Sequence, residues 1–413
     1  MTRLAGIALV LTLAFPAAAG AATWTAPEKV AGDLSGPTCC PDFGFSDAGK
    51  ALAVFTTQSI ESHTSGALTS TRFITRTAGG EWNELVEGPG YPKTFRAHEQ
   101  SVTADGHVLI FGTPARFKPY RDHPTGLAVR HGHLTASGVS FDSTELLRKG
   151  AVSSYDFAAN RAGDAVVAWG VRKGKHRGVF VRRAKGAGEF GKVKRLTKRV
   201  PRFRSVLVDV GRNGHVVVTW ARGDRMFARI GAPDGGFGQR LGLGRTGAYT
   251  ALAAGPAGQM LVARVRPPIR KAKLLATHTG PNGIPSKTDV LAGPDQALYT
   301  TSPLVAFDRA ARGLVAWTDG GTHVATLTGG DPRVEPVDPG GLVQDMAVSP
   351  AGHVAIVLAS AAGLAGYVAL RGPSGSFAPG ERASPDGVRP DGAQVAFDPS
   401  NGEPVVLYLS NTG

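Results

Sequence analysis

Cys39 and Cys40 are the two cysteines of the chain, and they are adjacent. In an oxidising compartment neighbouring thiols are expected to join. Adjacent Cα atoms lie about 3.8 Å apart, closer than ordinary disulfide spacing, so a vicinal disulfide would be a strained, rigid apolar plate. The same pair could instead hold a soft metal with His98 as third ligand, pair with another chain, or stay reduced. A single pair without C-x-x-C spacing argues against structural zinc, and no metal is expected there. Two residues further stands Asp42, and from it Glu99 and Asp156 follow at equal steps of 57 residues. Carboxylates returning at a fixed interval are what a site assembled from repeated units would show. Clustered oxygens bind Ca²⁺, a carboxylate pair about 5–10 Å apart can hydrolyse a glycosidic bond, and either can hold a sugar.

The interval belongs to a repeat that runs along the chain. Asn160-Arg161-Ala162-Gly163-Asp164 precedes Ala165-Val166-Val167-Ala168-Trp169, and Gly211-Arg212-Asn213-Gly214-His215 precedes Val216-Val217-Val218-Thr219-Trp220. Each phrase is a turn with one glycine followed by a β-branched strand. Glycine enters the left-handed region without a Cβ penalty, so a tight hairpin closes there. Eight such glycines are read: Gly49, Gly106, Gly163, Gly214, Gly258, Gly313, Gly352 and Gly402. Seven places before four of them stands a carboxylate: Asp42, Glu99, Asp156 and Asp345. His98 and Tyr155 flank two of these acids. Gln394 lies one place off in the last repeat, and Arg204, Tyr249 and Tyr299 occupy neighbouring positions in the fourth to sixth. Together with Cys39 and Cys40 they form the expected ligand-binding set, gathered at the mouth of a central channel. Polar residues there can also simply satisfy exposed backbone amides.

A third and fourth short strand follow each hairpin, such as Arg177 to Arg183 and Lys192 to Leu196. No helical periodicity survives the Gly, Pro and strand-type runs. A lone four-stranded sheet cannot bury both faces, so copies must stack. The chain ends after two strands of its last repeat, and an orphan strand, Trp24 to Val30, precedes the first hairpin. Complementary ends close a ring. The expected fold is an all-β propeller of eight, alternatively seven, four-stranded blades. The hairpin phrase resembles that of secreted bacterial β-propeller repeat proteins. It lacks the WD dipeptide of WD40 blades and the Asp-box spacing of sialidases, since Trp169 and Trp220 follow their glycines by six residues. The resemblance therefore implies fold and not activity.

Met1-Thr2-Arg3, the apolar run Leu4 to Phe15 and the small residues Pro16 to Ala22 read as a secretory signal. Cleavage is expected after Ala21, leaving 22–413 as one domain that is secreted or extracytoplasmic. That apolar run is too short to span a bilayer, and no later run is longer. Gly and Pro are 84 of 413 residues, below the low-complexity range. The charge of +14 is uneven. Arg148 to Lys273 holds 28 Lys and Arg against 6 Asp and Glu, a net +22, and the remainder is −8. Lys173, Lys175, Arg177, Arg182, Arg183, Lys192, Lys194 and Arg195 are the expected polyanion-binding residues. Charged outer strands also block edge-to-edge pairing, but that does not require one sign, and a one-signed sector attracts anionic polymers at long range.

There is no G-x-S-x-G, HExxH or P-loop. The G-x-G-x-x-G from Gly242 to Gly247 leads into a strand and lacks its nucleotide-binding context. Few aromatics interleave with the basic residues, which argues against single-stranded nucleic acid. The expected function is a monomeric, non-catalytic propeller that binds a glycan, a protein or an anionic cell-envelope polymer, with Ca²⁺ as the conceivable structural ion. The alternatives are a polysaccharide hydrolase or lyase working through the mouth carboxylates, and a structural surface protein.

Overall fold

The computed structural model describes residues 6–13, 28–34, 38–59, 68–83, 86–87, 95–116, 123–124, 126–172, 177–197, 203–266, 271–280, 283–293, 302–360, 365–385, 387–388 and 390–412. The side chains of 6–13 and 29–41, among others, are outside that description. These residues contain no α-helix and build eight antiparallel sheets, seven of four strands and one of five. They are the blades of a β-propeller.

The first six sheets follow chain order. Sheet one is Thr38–Phe45, Ala51–Ser59, Leu68–Arg76 and Val86–Glu87. Sheet two is Phe95–Val102, His107–Arg116, Gly126–Leu134 and Val139–Lys149, with His123–Pro124 added to its second strand. Sheet three is Ser154–Ala159, Ala165–Val171, Gly178–Ala184 and Lys194–Arg195. Sheet four is Phe203–Val210, Val216–Arg222, Arg225–Gly231 and Leu241–Arg245. Sheet five is Tyr249–Ala254, Met260–Arg266, Lys273–Thr279 and Pro285–Ala292. Sheet six is Leu304–Phe307, Gly313–Thr318, Thr322–Leu327 and Arg333–Val337.

Sheet seven is Gly341–Val348, Val354–Ser360, Gly366–Arg371 and Glu381–Arg382. Sheet eight joins the chain ends in the order Pro390–Phe397, Pro404–Thr412, Gly6–Leu13, Glu28–Leu34. The expected orphan strand thus begins at Glu28 and does not meet Pro404–Thr412 directly. Gly6–Leu13 is the third strand and pairs from Gly6 with Thr412 to Leu13 with Val405.

Every sheet opens with the same hairpin. In the third, Asn160 N donates to Asp164 O at 2.9 Å and Gly163 N to Asn160 O at 3.0 Å. The fourth repeats this with Gly211, Gly214 and His215 at 2.9 and 2.8 Å, and the eighth carries one extra residue between Asp398 and Gly402. Seven of the eight glycines read from sequence are the left-handed residue of this turn. The sixth is not. There Ala311 takes the position, with φ of +60°, and its amide returns to Asp308 O at 3.0 Å. Gly313 begins the next strand instead. It is small for a packing reason, because a methyl group there would stand 3.1 Å from Leu261.

By contact the chain forms two compact units, Met1–Ala151 with Ala355–Ala369 and Gly380–Gly413, and Val152–Val354 with Leu370–Pro379. In the first, alternate residues of Ala51–Ser59 face opposite ways. Ala51, Ala53 and Phe55 pack with Val405, Leu407 and Leu409 of sheet eight, while Leu52 and Val54 pack with Val102, Val108 and Ile110 of sheet two. The buried Arg76–Asp398 ion pair ties sheet one to sheet eight. In the second unit the cores run from sheet three to four through Val181 and Trp220, from four to five through Met226 and Met260, and from five to six through Leu261 and Trp317. Cross-strand ring pairs recur there: Trp169 stacks on Phe180, Trp220 on Phe227 and Trp317 on His323, with centroids 5.9, 6.0 and 5.4 Å apart.

Candidate functional site

In three sheets the first strand presents polar side chains to the first strand of the next. Asp42 Oδ2 accepts the amide of Gln100 at 2.8 Å, and Asp156 Oδ2 accepts the amide of Val208 at 2.7 Å. Ser154 adds a bond from Val206 N at 3.1 Å. A third carboxylate does the same work unannounced by the repeat: Asp209 Oδ2 accepts the amide of Ala254 at 2.7 Å. Asp42 and Asp156 stand seven residues before their turn glycines, and Asp209 five before Gly214. Strand side chains repeat every two residues, so the clamp has slid one step along the same face. Amides on a strand without a ladder partner need an acceptor, and a carboxylate of the preceding sheet supplies it.

Asp209 has a perturbed carboxyl. Burial pushes its carboxyl up to about 6, against the lowering effect of the amides of Ala254 and Val210. It lines a pocket of about 230 Å³ with Arg212, Pro256, Phe307 and Asp308. Two carboxylates on one pocket are the raw material of acid–base hydrolysis. Here their oxygens are already engaged. Asp209 Oδ1 accepts from Val210 N at 2.8 Å, and Asp308 accepts from Arg312 N at 2.9 Å and Arg312 Nε at 2.6 Å. Asp308 is the turn residue that Asn160 and Asp398 match in their own hairpins, where their side chains cap backbone amides. The pair is a strand clamp beside a turn cap. A larger cavity of about 760 Å³, between sheets four and five, is lined by His215, Asp234, Phe237, Gln239 and Ile284.

The other expected site residues divide between the two units. In the first, Asp42, His98 and Glu99 lie on adjoining first strands, with His98 Nε2 3.0 Å from Thr113 Oγ1 and Glu99 half-buried and engaged. Gln394 Oε1 is buried without a partner among the described residues. Cys39 and Cys40 lie in the bulged start of Thr38–Phe45, and their side chains fall outside the described residues. In the second unit, Tyr155 and Asp156 lie beside the strand that carries Arg204, whose carbonyl accepts from Arg172 at 3.1 Å. Tyr249 is exposed opposite Val265, and Asp345 is half-buried and engaged on Gly341–Val348. Tyr299 lies outside the described residues. No group of three or more metal-ligating side chains gathers among the described residues.

The basic residues sort into two kinds. Some donate to main-chain carbonyls. Arg183 reaches Ala232 O at 2.6 Å and Gly214 O at 2.8 Å, and Lys194 reaches Gly235 O at 2.8 Å, both on sheet four. Arg182 donates to Gly191 O and Phe190 O, and Arg195 to Thr197 O and Arg177 O. Arg183 and Lys194 cover the Phe237 ring, Arg195 covers Phe180 and Arg240 covers Phe227. Lys192 is exposed, and Lys173 and Lys175 fall outside the described residues.

The second kind sits at the end of sheets four and five where the second strand hands over to the third. Arg222 stands opposite Arg225, Arg225 opposite Arg245, and Arg266 opposite Lys273, all exposed. Asp224 lies 3.6 Å from Arg245. The sequence reading took in the sector's charge but not these rows, because opposition depends on strand register.

No protein-family model matches the sequence, and no curated protein matches it. Solved structures match by shape. Prolyl oligopeptidase B from Galerina marginata, bound to a 35mer substrate, aligns with a TM-score of 0.50 at 8% identity over 88% of this chain. The chain spans about half the length of that enzyme, 53% of it. Virginiamycin B lyase from Staphylococcus aureus aligns at 0.40 with 11% identity, covering 75% of this chain and 93% of that one. Aleuria aurantia lectin, in complex with α-methyl-L-fucoside, aligns at 0.41 with 11% identity, covering 73% and 96%. At such identities the likeness concerns the fold alone.

Proposed function

We propose that this chain is a non-catalytic β-propeller that holds an anionic polysaccharide or cell-envelope polymer bearing phosphate or sulfate groups along the strand ends of sheets four and five. The observation that carries the reading is the row Arg222, Arg225, Arg245, with the pair Arg266 and Lys273 beside it. Like charges directly opposed across strands destabilise a sheet. Asp224 offsets one of them at Arg245, and a surplus of this kind suits a surface whose remaining counter-charge arrives with the ligand. A glycan-type polymer is preferred to single-stranded nucleic acid because Phe180, Phe227 and Phe237 are already covered by Arg or Lys and offer no stacking platform. The engaged state of Asp209 and Asp308 supports binding over hydrolysis.

Export through a leader of residues 1–21 belongs to the same reading. Its loss would take Gly6–Leu13 from sheet eight and leave Glu28–Leu34 to pair with Pro404–Thr412.

The test is retention on immobilised dextran sulfate and on a glycerol-phosphate polymer, compared with a carboxymethyl matrix. The wild type should be held more strongly on the first two and released by about 0.5 M salt through screening. Arg222→Gln, Arg225→Gln and Lys273→Gln together should release it at much lower salt. Each lies on the surface, where substitution changes stability by about 0.5 kcal/mol or less. Equal retention of wild type and variant on all three matrices would overturn the proposal.

A further inference from the structure

Arg264 lies on Met260–Arg266, one step inward from the exposed end of sheet five. Met260 and Val262, of the same parity on that strand, pack with Val217, Met226, Ala228 and Leu243 of sheet four. Strand alternation therefore turns Arg264 and Arg266 toward sheet four, and Lys273, directly opposite Arg266, shares that face. The arm of Arg264 runs along two glycines. A methyl group added at Gly247 would stand 2.9 Å from its Cβ, and one at Gly244 would stand 3.6 Å from Nη2. Gly244 is opposite Met226 and beside Arg245 in sheet four.

Arg264 is only 3% exposed. Its Nε and Nη1 are buried and have no hydrogen-bond partner among the described residues. Burial and the neighbouring Arg266 hold its guanidinium below the ordinary arginine value. Buried cations normally come with an anion or with carbonyls that accept their N–H groups. Arg183, from the same sector, has its carbonyls. Nε and Nη1 of Arg264 have neither among the described residues, and the charged neighbour felt by the guanidinium is the cation Arg266.

We propose that Arg264 is the seat of one phosphate or sulfate group, received between sheets four and five with Arg266 and Lys273 at its mouth. Three cations on one face favour a phosphate or sulfate oxyanion over chloride, and guanidinium N–H pairs match two oxygens of such a group. This rests on the polymer-binding reading: the exposed rows gather the chain, and Arg264 takes one of its groups.

Thermal unfolding in inorganic phosphate or sulfate, set against chloride at equal ionic strength, tests the site. The wild type should gain stability with the logarithm of anion concentration above the dissociation constant, with one anion per chain by calorimetry and a rise of about 3 °C at 100 times that constant. A gain that rises in proportion to salt concentration, with no binding heat of one anion per chain, is the general effect of excluded salts and counts against the site. Arg264→Met should unfold at a higher temperature than wild type without anion and respond to neither ion. Arg264→Lys should bind at least tenfold more weakly. If Arg264→Met does not fold, the wild-type stoichiometry and Arg264→Lys decide. The two probes separate by pH, because inorganic phosphate passes from two charges to one as pH falls through neutrality and sulfate does not. A wild type that answers phosphate and sulfate as it answers chloride, while still held on dextran sulfate, overturns the site and leaves polymer binding standing. Loss of that retention as well removes the broader reading.

Discussion

Replacing Asp209 by Asn separates a clamp from a catalytic acid. The Asp209 carboxyl is raised from 3.8 to about 6, first by burial, against two backbone amides. The gap of about 2 units corresponds to roughly 3 kcal/mol between the two protonation states. The sign follows from the direction. The folded value lies above the unfolded one, so the fold favours the protonated acid. That contribution is complete below about pH 4 and is withdrawn as pH rises through about 6, roughly 2.5 kcal/mol of it between pH 4 and 7.5. Asn cannot ionise, so Asp209→Asn should not feel this withdrawal. The difference in urea-unfolding free energy between variant and wild type should swing by about 2.5 kcal/mol in the variant's favour from pH 4 to 7.5. Any fixed cost of the amide group cancels in the swing. Parallel pH curves, or a Cγ resonance of Asp209 titrating near pH 4, would refute the reasoning.

The hairpins predict effects of opposite sign at equivalent positions. Ala311→Gly relieves a left-handed Cβ at φ of +60° and should stabilise by about 0.5–1 kcal/mol in denaturant titration, after the entropy of the unfolded glycine is set against it. Gly163→Ala forces the same conformation and drives its Cβ to 2.5 Å from Ala187 N, so it should cost about 2–4 kcal/mol. Asp156→Ala strips the acceptor from Val208 N and should cost about 1–3 kcal/mol while leaving retention on dextran sulfate unchanged.

The repeat was legible because its turn is a local demand on backbone conformation, and glycine answers it at seven of eight turns. It was misread in the sixth, where Ala311 bears the strain and Gly313 stands nearby for a different reason, its approach to Leu261. The carboxylates at Asp42 and Asp156 were legible as a pattern and not as a role. Their role depends on which amide of the next sheet lies opposite, and nothing in one strand records that. Asp209 escaped because the clamp moved by two residues, a shift that preserves the facing side and breaks a fixed offset. The basic sector's charge could be counted. Which arginines meet carbonyls of sheet four, and that Nε and Nη1 of Arg264 meet none among the described residues, depends on the packing of neighbouring sheets.

The three clamps share a direction. In each, the carboxylate precedes its amide partner in the chain: Asp42 before Gln100, Asp156 before Val208, Asp209 before Ala254. A ribosome delivers them in that order. When the later strand emerges, the acceptor waiting for it can already be held by a finished hairpin. Nearest-neighbour links of this polarity let assembly advance with synthesis. A chain permuted to begin between Asp156 and Phe203 would keep these links in the folded state yet make the amides of Val206 and Val208 wait, unpaired, for the last residues to arrive.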